Sequence, residues 1–296
     1  MGKWFDQSDV LKFSVDQGVA RITLNRPDKR NALSGELISD LRKALLEADD
    51  RADVRVSLLS GEGASFCSGY DLNGPYGASG EPDPGYRSFA GTLDDDMWNM
   101  QRLQDEFNII FDLHKPVIAK VHGAAFAGGA DLALQCDMVL MAQDAKIGFP
   151  AARANGAPPF HMWLYLLGPQ WTKRLLLTGD VLTGLNAARL GLVMDAVPAD
   201  ELDAEADELA RRIALCDPEL LSAQKRNVNM GLELMGWRMM QRLSLQQDAH
   251  GHLSRGPRRS RFRSDAAEYG IKTALTNRDQ DFGDGIARPR WPYLGD

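Results

Sequence analysis

Apolar and polar positions alternate in Val19-Ala20-Arg21-Ile22-Thr23-Leu24 with the period of two of a half-buried strand, and Asn25-Arg26-Pro27-Asp28 then supplies turn chemistry to end it. The period changes after that. Leu37, Leu41, Ala44, Leu45 and Ala48 recur every three or four residues behind Ser34, a side chain suited to cap a helix, which predicts a helix with one apolar stripe. Residues 54–59 read as a second strand. Leu93, Met97, Met100, Leu103, Phe107 and Ile110 mark a long amphipathic helix that stops before Lys115-Pro116, because the residue preceding proline avoids the helical region. Residues 117–121 are short, apolar and β-branched, as a strand covered on both faces would be; 130–136 read as helix and 138–142 as another buried strand. Strand and helix thus alternate with no tandem copy at a fixed period, which predicts an α/β core. Beyond Pro198 the pattern is helical, over 202–215, 220–237 and 239–250, so the chain divides into a core, 1–200, and a C-terminal helical region, 201–296.

Composition narrows the function classes. The 296 residues are 44% hydrophobic, enough for a sizeable core and incompatible with a disordered chain. A net charge of −7 disfavours capture of nucleic acid by overall charge. The one strongly basic stretch is Arg255-Gly256-Pro257-Arg258-Arg259-Ser260-Arg261-Phe262-Arg263, which reads first as a solvated basic loop. The most apolar run, 117–142, is interrupted by Lys120, His122, Asp131 and Asp137, so no membrane span is expected. Three cysteines, Cys67, Cys136 and Cys216, form no CxxC pair and no secretory pattern opens the chain, which argues for a reduced cytoplasmic interior. Residues 73–92, rich in Gly, Pro, Ser and acids, read as a surface insertion.

Most familiar catalytic signatures are missing. Gly61-Glu62-Gly63 lacks the third glycine of a dinucleotide loop, with Phe66 in its place, and no P-loop lysine, G-x-S-x-G elbow or H-E-x-x-H pair occurs. His250 and His252 are spaced i, i+2, which points them apart on a helix, so no metal site is predicted. What stands out is a pair of small-residue loops, each behind an apolar strand: one ends Phe66-Cys67-Ser68-Gly69-Tyr70-Asp71-Leu72, the other Ala127-Gly128-Gly129-Ala130-Asp131. Taken with Leu24-Asn25-Arg26-Pro27, Asn31-Ala32-Leu33, Lys115-Pro116-Val117-Ile118-Ala119, Leu177-Thr178-Gly179-Asp180 and Ala187-Ala188-Arg189-Leu190-Gly191-Leu192-Val193, these blocks resemble, in order and spacing over residues 10–225, the enoyl-CoA hydratase/isomerase (crotonase) superfamily.

The resemblance implies an α/β fold with a core of ββα turns wound as a spiral and a C-terminal helical trimerisation region, giving a homotrimer or homohexamer. It implies acyl-CoA thioesters as substrates, coenzyme A being part of the substrate and no separate cofactor being needed. Carried onto this chain, the backbone donors to the thioester oxygen are Tyr70 and Gly128. Thioester chemistry at the α- or β-carbon passes through an enolate, and preorganised amides at a helix N-terminus stabilise its oxygen. Glycines at 128 and 129 admit a ligand without a Cβ clash.

Asp131, three residues beyond Gly128, lies on about the same helix face, roughly 4.5 Å along the axis, and stands where the family's hydratases carry a first glutamate. Their second glutamate corresponds to Ala151, in Phe149-Pro150-Ala151-Ala152-Arg153, and a methyl group transfers no proton. Hydration uses both carboxylates, so a chain with one is expected to hydrate simple enoyl thioesters poorly. Arg153 and His161 fall in the segment that would hold the second acid; Arg153 could bind an anionic group and His161 could serve as acid or base, although a surface or capping role is the plainer reading of each. Asp71 is expected to hold its loop by bonding backbone amides. Tyr70, Leu72 and Asn73 are expected at the thioester end, and Arg30 with the edge of Ala64, Phe66 and Ser68 at the nucleotide end. Three functions follow: an enoyl-CoA hydratase/isomerase-like enzyme, a crotonase-fold hydrolase or isomerase using Asp131 with His161 or Arg153, and a catalytically weak acyl-CoA-binding protein.

Overall fold

A computed structural model describes residues 2–72, 85 and 92–290. It opens with an antiparallel pair, β1 (Leu11–Asp16) and β2 (Val19–Leu24). Helix α1 (Gly35–Asp50) follows, with the Ser34 hydroxyl accepting the Leu37 N–H at 3.2 Å as a cap should. Strand β3 (Val56–Gly61) pairs parallel with β2. Helix α2 (Leu93–Asp112) leads to β4 (Val117–Val121), β5 (Ala124–Phe126) and α3 (Gly128–Gln135). Next come β6 (Met138–Ala142), β7 (Lys146–Gly148), and α4 (Trp163–Thr178), which is broken where Gly168 takes φ +68° ahead of Pro169. Then follow β8 (Val181–Thr183), α5 (Gly184–Leu190) and β9 (Asp195–Val197).

Two sheets result, in the order β1-β2-β3-β4-β6-β9 and β5-β7-β8. From β4 onward the strands come in pairs split between the two sheets: β4 with β5, β6 with β7, β8 with β9. This is the ββα spiral that the resemblance implied. The parallel pairings β3·β4, β4·β6 and β6·β9 explain why 117–121 and 138–142 are apolar runs without alternation, since both faces of these strands are covered.

The C-terminal part is helical: α6 (Leu202–Ala214), α7 (Pro218–Leu234), α8 (Trp237–His252), α9 (Pro257–Tyr269) and α10 (Ile271–Asp279). α6 lies on the larger sheet through buried Leu202, Ala206 and Ala210. The arginine-rich stretch differs from expectation: from Pro257 onward it is helix α9 and not a loop, because proline starts the helix and Phe262 buries itself beneath it. Two of its arginines have internal work, Arg258 pairing with Asp281 at 3.1 Å and Arg259 donating to the Ala154 carbonyl at 3.1 Å. Among the described residues no helix is long and apolar enough to cross a membrane.

Candidate active site

Residues 66–71 thread between two other segments. On one side Cys67 exchanges bonds with β5, its N–H donating to the Ala124 carbonyl and its carbonyl accepting the Phe126 N–H, both at 3.0 Å. On the other side Leu33 donates to the Gly69 carbonyl at 2.8 Å and accepts the Asp71 N–H at 3.0 Å. The peptide between Gly69 and Tyr70 is trans, so with its carbonyl turned to Leu33 the Tyr70 N–H points the opposite way. That opposite side is where α3 begins. A β-carbon built on Gly69, whose φ is +102°, would stand 2.8 Å from the Phe126 carbonyl oxygen and 3.4 Å from the Gly128 nitrogen.

The start of α3 carries local strain. Ala127 sits at φ 48°, ψ −122°, a conformation that costs a residue with a side chain of order 1–3 kcal/mol. Its carbonyl accepts the amides of Ala130 and Asp131, so the Gly128 N–H points back out of the helix end, and among the described residues it meets no acceptor. Gly129 is held by a close approach, since a β-carbon there would stand 2.4 Å from the Cys67 carbonyl oxygen. The Cys67 thiol itself is pushed up to about 12 by burial and donates to the Asn31 carbonyl, which makes it an inert core group.

Asp131 lies one turn into α3 and is 1% exposed. One oxygen, Oδ1, accepts the indole N–H of Trp163 at 3.2 Å; the other, Oδ2, is buried with no hydrogen-bond partner among the described residues. Burial pushes the carboxyl well above the ordinary range, the Trp163 bond opposes that, and the Asp248 carboxylate adds to it. Burial therefore favours the protonated form of the Asp131 carboxyl. Ala151 occupies a short 3₁₀ turn, Pro150–Arg153, and no carboxylate stands in for it there.

Other sequence-predicted residues separate. His161 has its backbone N–H on the Gln241 side-chain oxygen at 3.1 Å and its Nδ1 buried with no partner among the described residues; burial lowers its pKa, which favours the neutral ring. The Arg153 guanidinium, 5% exposed, is paired with Asp180 and Asp279 at 3.1 Å each, donates to the Thr178 carbonyl at 3.0 Å and lies over the Phe282 ring. A cation so engaged is a structural clamp and no free hook for a substrate anion. The Phe66 ring is fully buried in the core. Arg30 and Ala64 are exposed, and Ser68, half-buried, joins them by donating its N–H to the Arg30 carbonyl at 3.0 Å. Asp71 pairs with a guanidinium, Arg26 Nη2 at 2.9 Å. Leu72 is half-buried at the end of this segment, and Asn73 lies outside the described residues.

Sequence reasoning missed Asn31 and Trp163. Asn31, at φ 53° and wholly buried, accepts the Arg26 N–H and donates to the carbonyls of Glu62 and Ser65, tying the first loop together. No periodic signal marks either residue. A cavity of about 800 Å³ opens between 152–161, the end of α4 and helices α8 and α9; His161 lines it, whereas Tyr70, Gly128 and Asp131 do not.

The enoyl-CoA hydratase/isomerase family model matches residues 14–255. The chain is 30% identical over 227 residues to the 2,3-dehydroadipyl-CoA hydratase of Escherichia coli, covering 76% of this chain and 83% of that protein. It is 31% identical over 241 residues to the carnitinyl-CoA dehydratase of Proteus mirabilis, covering 79% and 86%. An enoyl-CoA hydratase crystal structure from Mycobacterium smegmatis superposes with a TM-score of 0.85 at 35% identity, over 95% of this chain and 97% of that one.

Proposed function

Because the chain belongs to the enoyl-CoA hydratase/isomerase family, we propose that it processes acyl-CoA thioesters by holding the thioester enolate oxygen between the Tyr70 and Gly128 amides, with Asp131 moving the proton. What supports this reading is the close approach of the two loops, a β-carbon on Gly69 standing 3.4 Å from the Gly128 nitrogen, one turn ahead of a buried carboxyl whose Oδ2 has no partner among the described residues. Donors preorganised in this way act without reorganisation in the transition state, and each is typically worth about 3–4 kcal/mol.

Because burial favours its protonated form, Asp131 acts first as a donor. Passed to the α-carbon as water adds at the β-carbon, it forms the new C–H bond while the thioester enolate collapses back to the carbonyl. The carboxylate left behind takes a proton from the adding water, which ends as the β-hydroxyl, and Asp131 is again neutral. The reverse sequence is dehydration. Ala151 leaves that water without a second carboxylate, so the shuttle runs slowly on simple enoyl thioesters. A second reading, isomerase or hydrolase chemistry with His161 as partner, is favoured by the unpartnered, neutral His161 Nδ1, a group able to accept a proton. Calorimetric titration with acyl-CoA thioesters of several chain lengths is expected to show saturable binding; absence of heat and saturation across the series would overturn the proposal.

Self-association as a homotrimer or homohexamer is part of the same proposal. Val228 and Leu234 of α7 and Met239 and Leu243 of α8 are exposed apolar side chains, a surface of the kind that monomers bury against copies of themselves. Light scattering behind size exclusion should give a mass three or six times 32.6 kDa; a mass of one chain would remove this part.

A further inference from the structure

The indole of Trp163 is wholly buried, and its N–H reaches Asp131 Oδ1 at 3.2 Å, while Asp131 Oδ2 is left with no partner among the described residues. A carboxyl with one oxygen committed and one open can turn about χ2 only by breaking its bond, and in a water-excluded interior a broken N–H bond leaves two orphaned polar groups. Trp163 is itself immobile for reasons that lie outside α3. The preceding chain is fastened along its length. The Ala157 N–H donates to Asp248 Oδ1 at 2.8 Å, the His161 N–H to Gln241 Oε1 at 3.1 Å, and the Trp237 indole to the Met162 sulfur at 3.1 Å. Gln104 of α2 donates to the carbonyls of Pro159 and Gln241. Thr172, beyond the break in α4, donates its hydroxyl to the Trp163 carbonyl at 2.9 Å.

We propose that Trp163 is the positioning residue of the site: its indole N–H fixes the Asp131 carboxyl so that Oδ2, and not Oδ1, is the oxygen that exchanges protons with substrate. This rests on the reading of Asp131 as the acid–base group. α3 supplies the carboxyl, and helices α2 and α8, through 157–163, decide where it points. Groups that move protons must be held to within about 0.5 Å of the productive position by neighbours that are themselves locked, which is what this arrangement supplies. A hydrogen bond to the ionised form favours ionisation, so losing the indole raises the pH at which Asp131 gives up its proton.

The test uses the full chain and butyryl-CoA in D₂O, following exchange at the α-carbon by mass spectrometry, which reports proton transfer without requiring net turnover. Trp163→Phe keeps the ring and removes the donor. The expected result is exchange at saturation reduced by about 10- to 100-fold with half-saturation changed by less than about threefold, and the limb of the pH profile belonging to Asp131 moved to higher pH. Trp163→His, which keeps a ring N–H, recovers part of the loss. In the unaltered protein the ¹⁵N–¹H signal of the Trp163 indole, assigned by its disappearance in Trp163→Phe, shifts with pH along the same limb. Exchange by Trp163→Phe at the native rate with an unmoved limb, or an indole signal flat across that limb, overturns the positioning role. If Trp163→Phe does not fold, the indole signal, assigned instead by its disappearance in Trp163→His, decides. Failure of the underlying reading looks different: Asp131→Asn then exchanges as fast as the native chain, whatever Trp163 does.

Discussion

The ring of Tyr70 lies directly against the α-carbon of Gly128, so close that a β-carbon at 128 would stand 2.6 Å from the ring's Cζ. The two residues whose amides are proposed to share one oxygen are therefore also locked by side-chain packing, and position 128 tolerates only glycine without moving Tyr70.

Gly128→Ala and Gly129→Ala should separate function from stability. At 128 the obstacle is the far end of a side chain, which can swing, so the fold survives while the donor pair is disturbed; thioester turnover should fall by about 10²–10³, the usual cost of one donor. At 129 the obstacle is the Cys67 backbone, 2.4 Å away, which cannot yield cheaply. Gly129→Ala should lower the unfolding free energy by about 1–3 kcal/mol, measured in urea. Equal stability of the two variants would contradict this assignment.

Asp131→Asn should abolish turnover and also stabilise the protein, increasingly so as pH rises. The native carboxyl binds its proton more tightly than the unfolded one because burial raises its pKa. Between the ordinary aspartate value and the raised native one, the folded state therefore holds more protons than the unfolded state, and stability declines as pH increases. Asparagine has no proton to lose. Thermal melts of both proteins from pH 4 to 8 should show a gap that widens toward pH 8; a constant gap would mean that Asp131 is not neutral in the native state.

Hydration of crotonyl-CoA should be slow, below the roughly 10 per second of a median enzyme, and Ala151→Glu should raise it. The change puts a carboxyl at the position where the resemblance implies the hydratases' second glutamate. Unchanged or lower hydration in that variant would show that the 3₁₀ turn aims position 151 away from the reaction centre.

Arg153→Ala should destabilise the chain by about 1.5–3 kcal/mol, since it removes a buried guanidinium from Asp180 and Asp279 while leaving Arg174 and Arg278 paired with them. Binding of acyl-CoA by the folded fraction should stay within twofold of native. A large loss of affinity with intact stability would return Arg153 to the substrate site.

Some of this molecule is determined by the sequence alone. The alternation in 19–24, the Ser34 cap and the apolar runs at 117–121 and 138–142 are local signals, each set by residues within a few positions of one another, and they suffice for an α/β core, whereas the spiral winding and the candidate roles of Tyr70, Gly128 and Asp131 come from the resemblance of motifs spread along the chain. The state of those residues is decided elsewhere. That Asp131 is sealed from water, that Trp163 holds one of its oxygens across 32 positions, and that Arg153 is consumed by Asp180 and Asp279, 27 and 126 positions away, follow only once distant segments are packed together. Burial and partner choice are properties of the assembled interior, where desolvation sets the proton affinity of a carboxyl and the nearest acceptor claims a guanidinium, and neither is encoded in the spacing of residues along the chain.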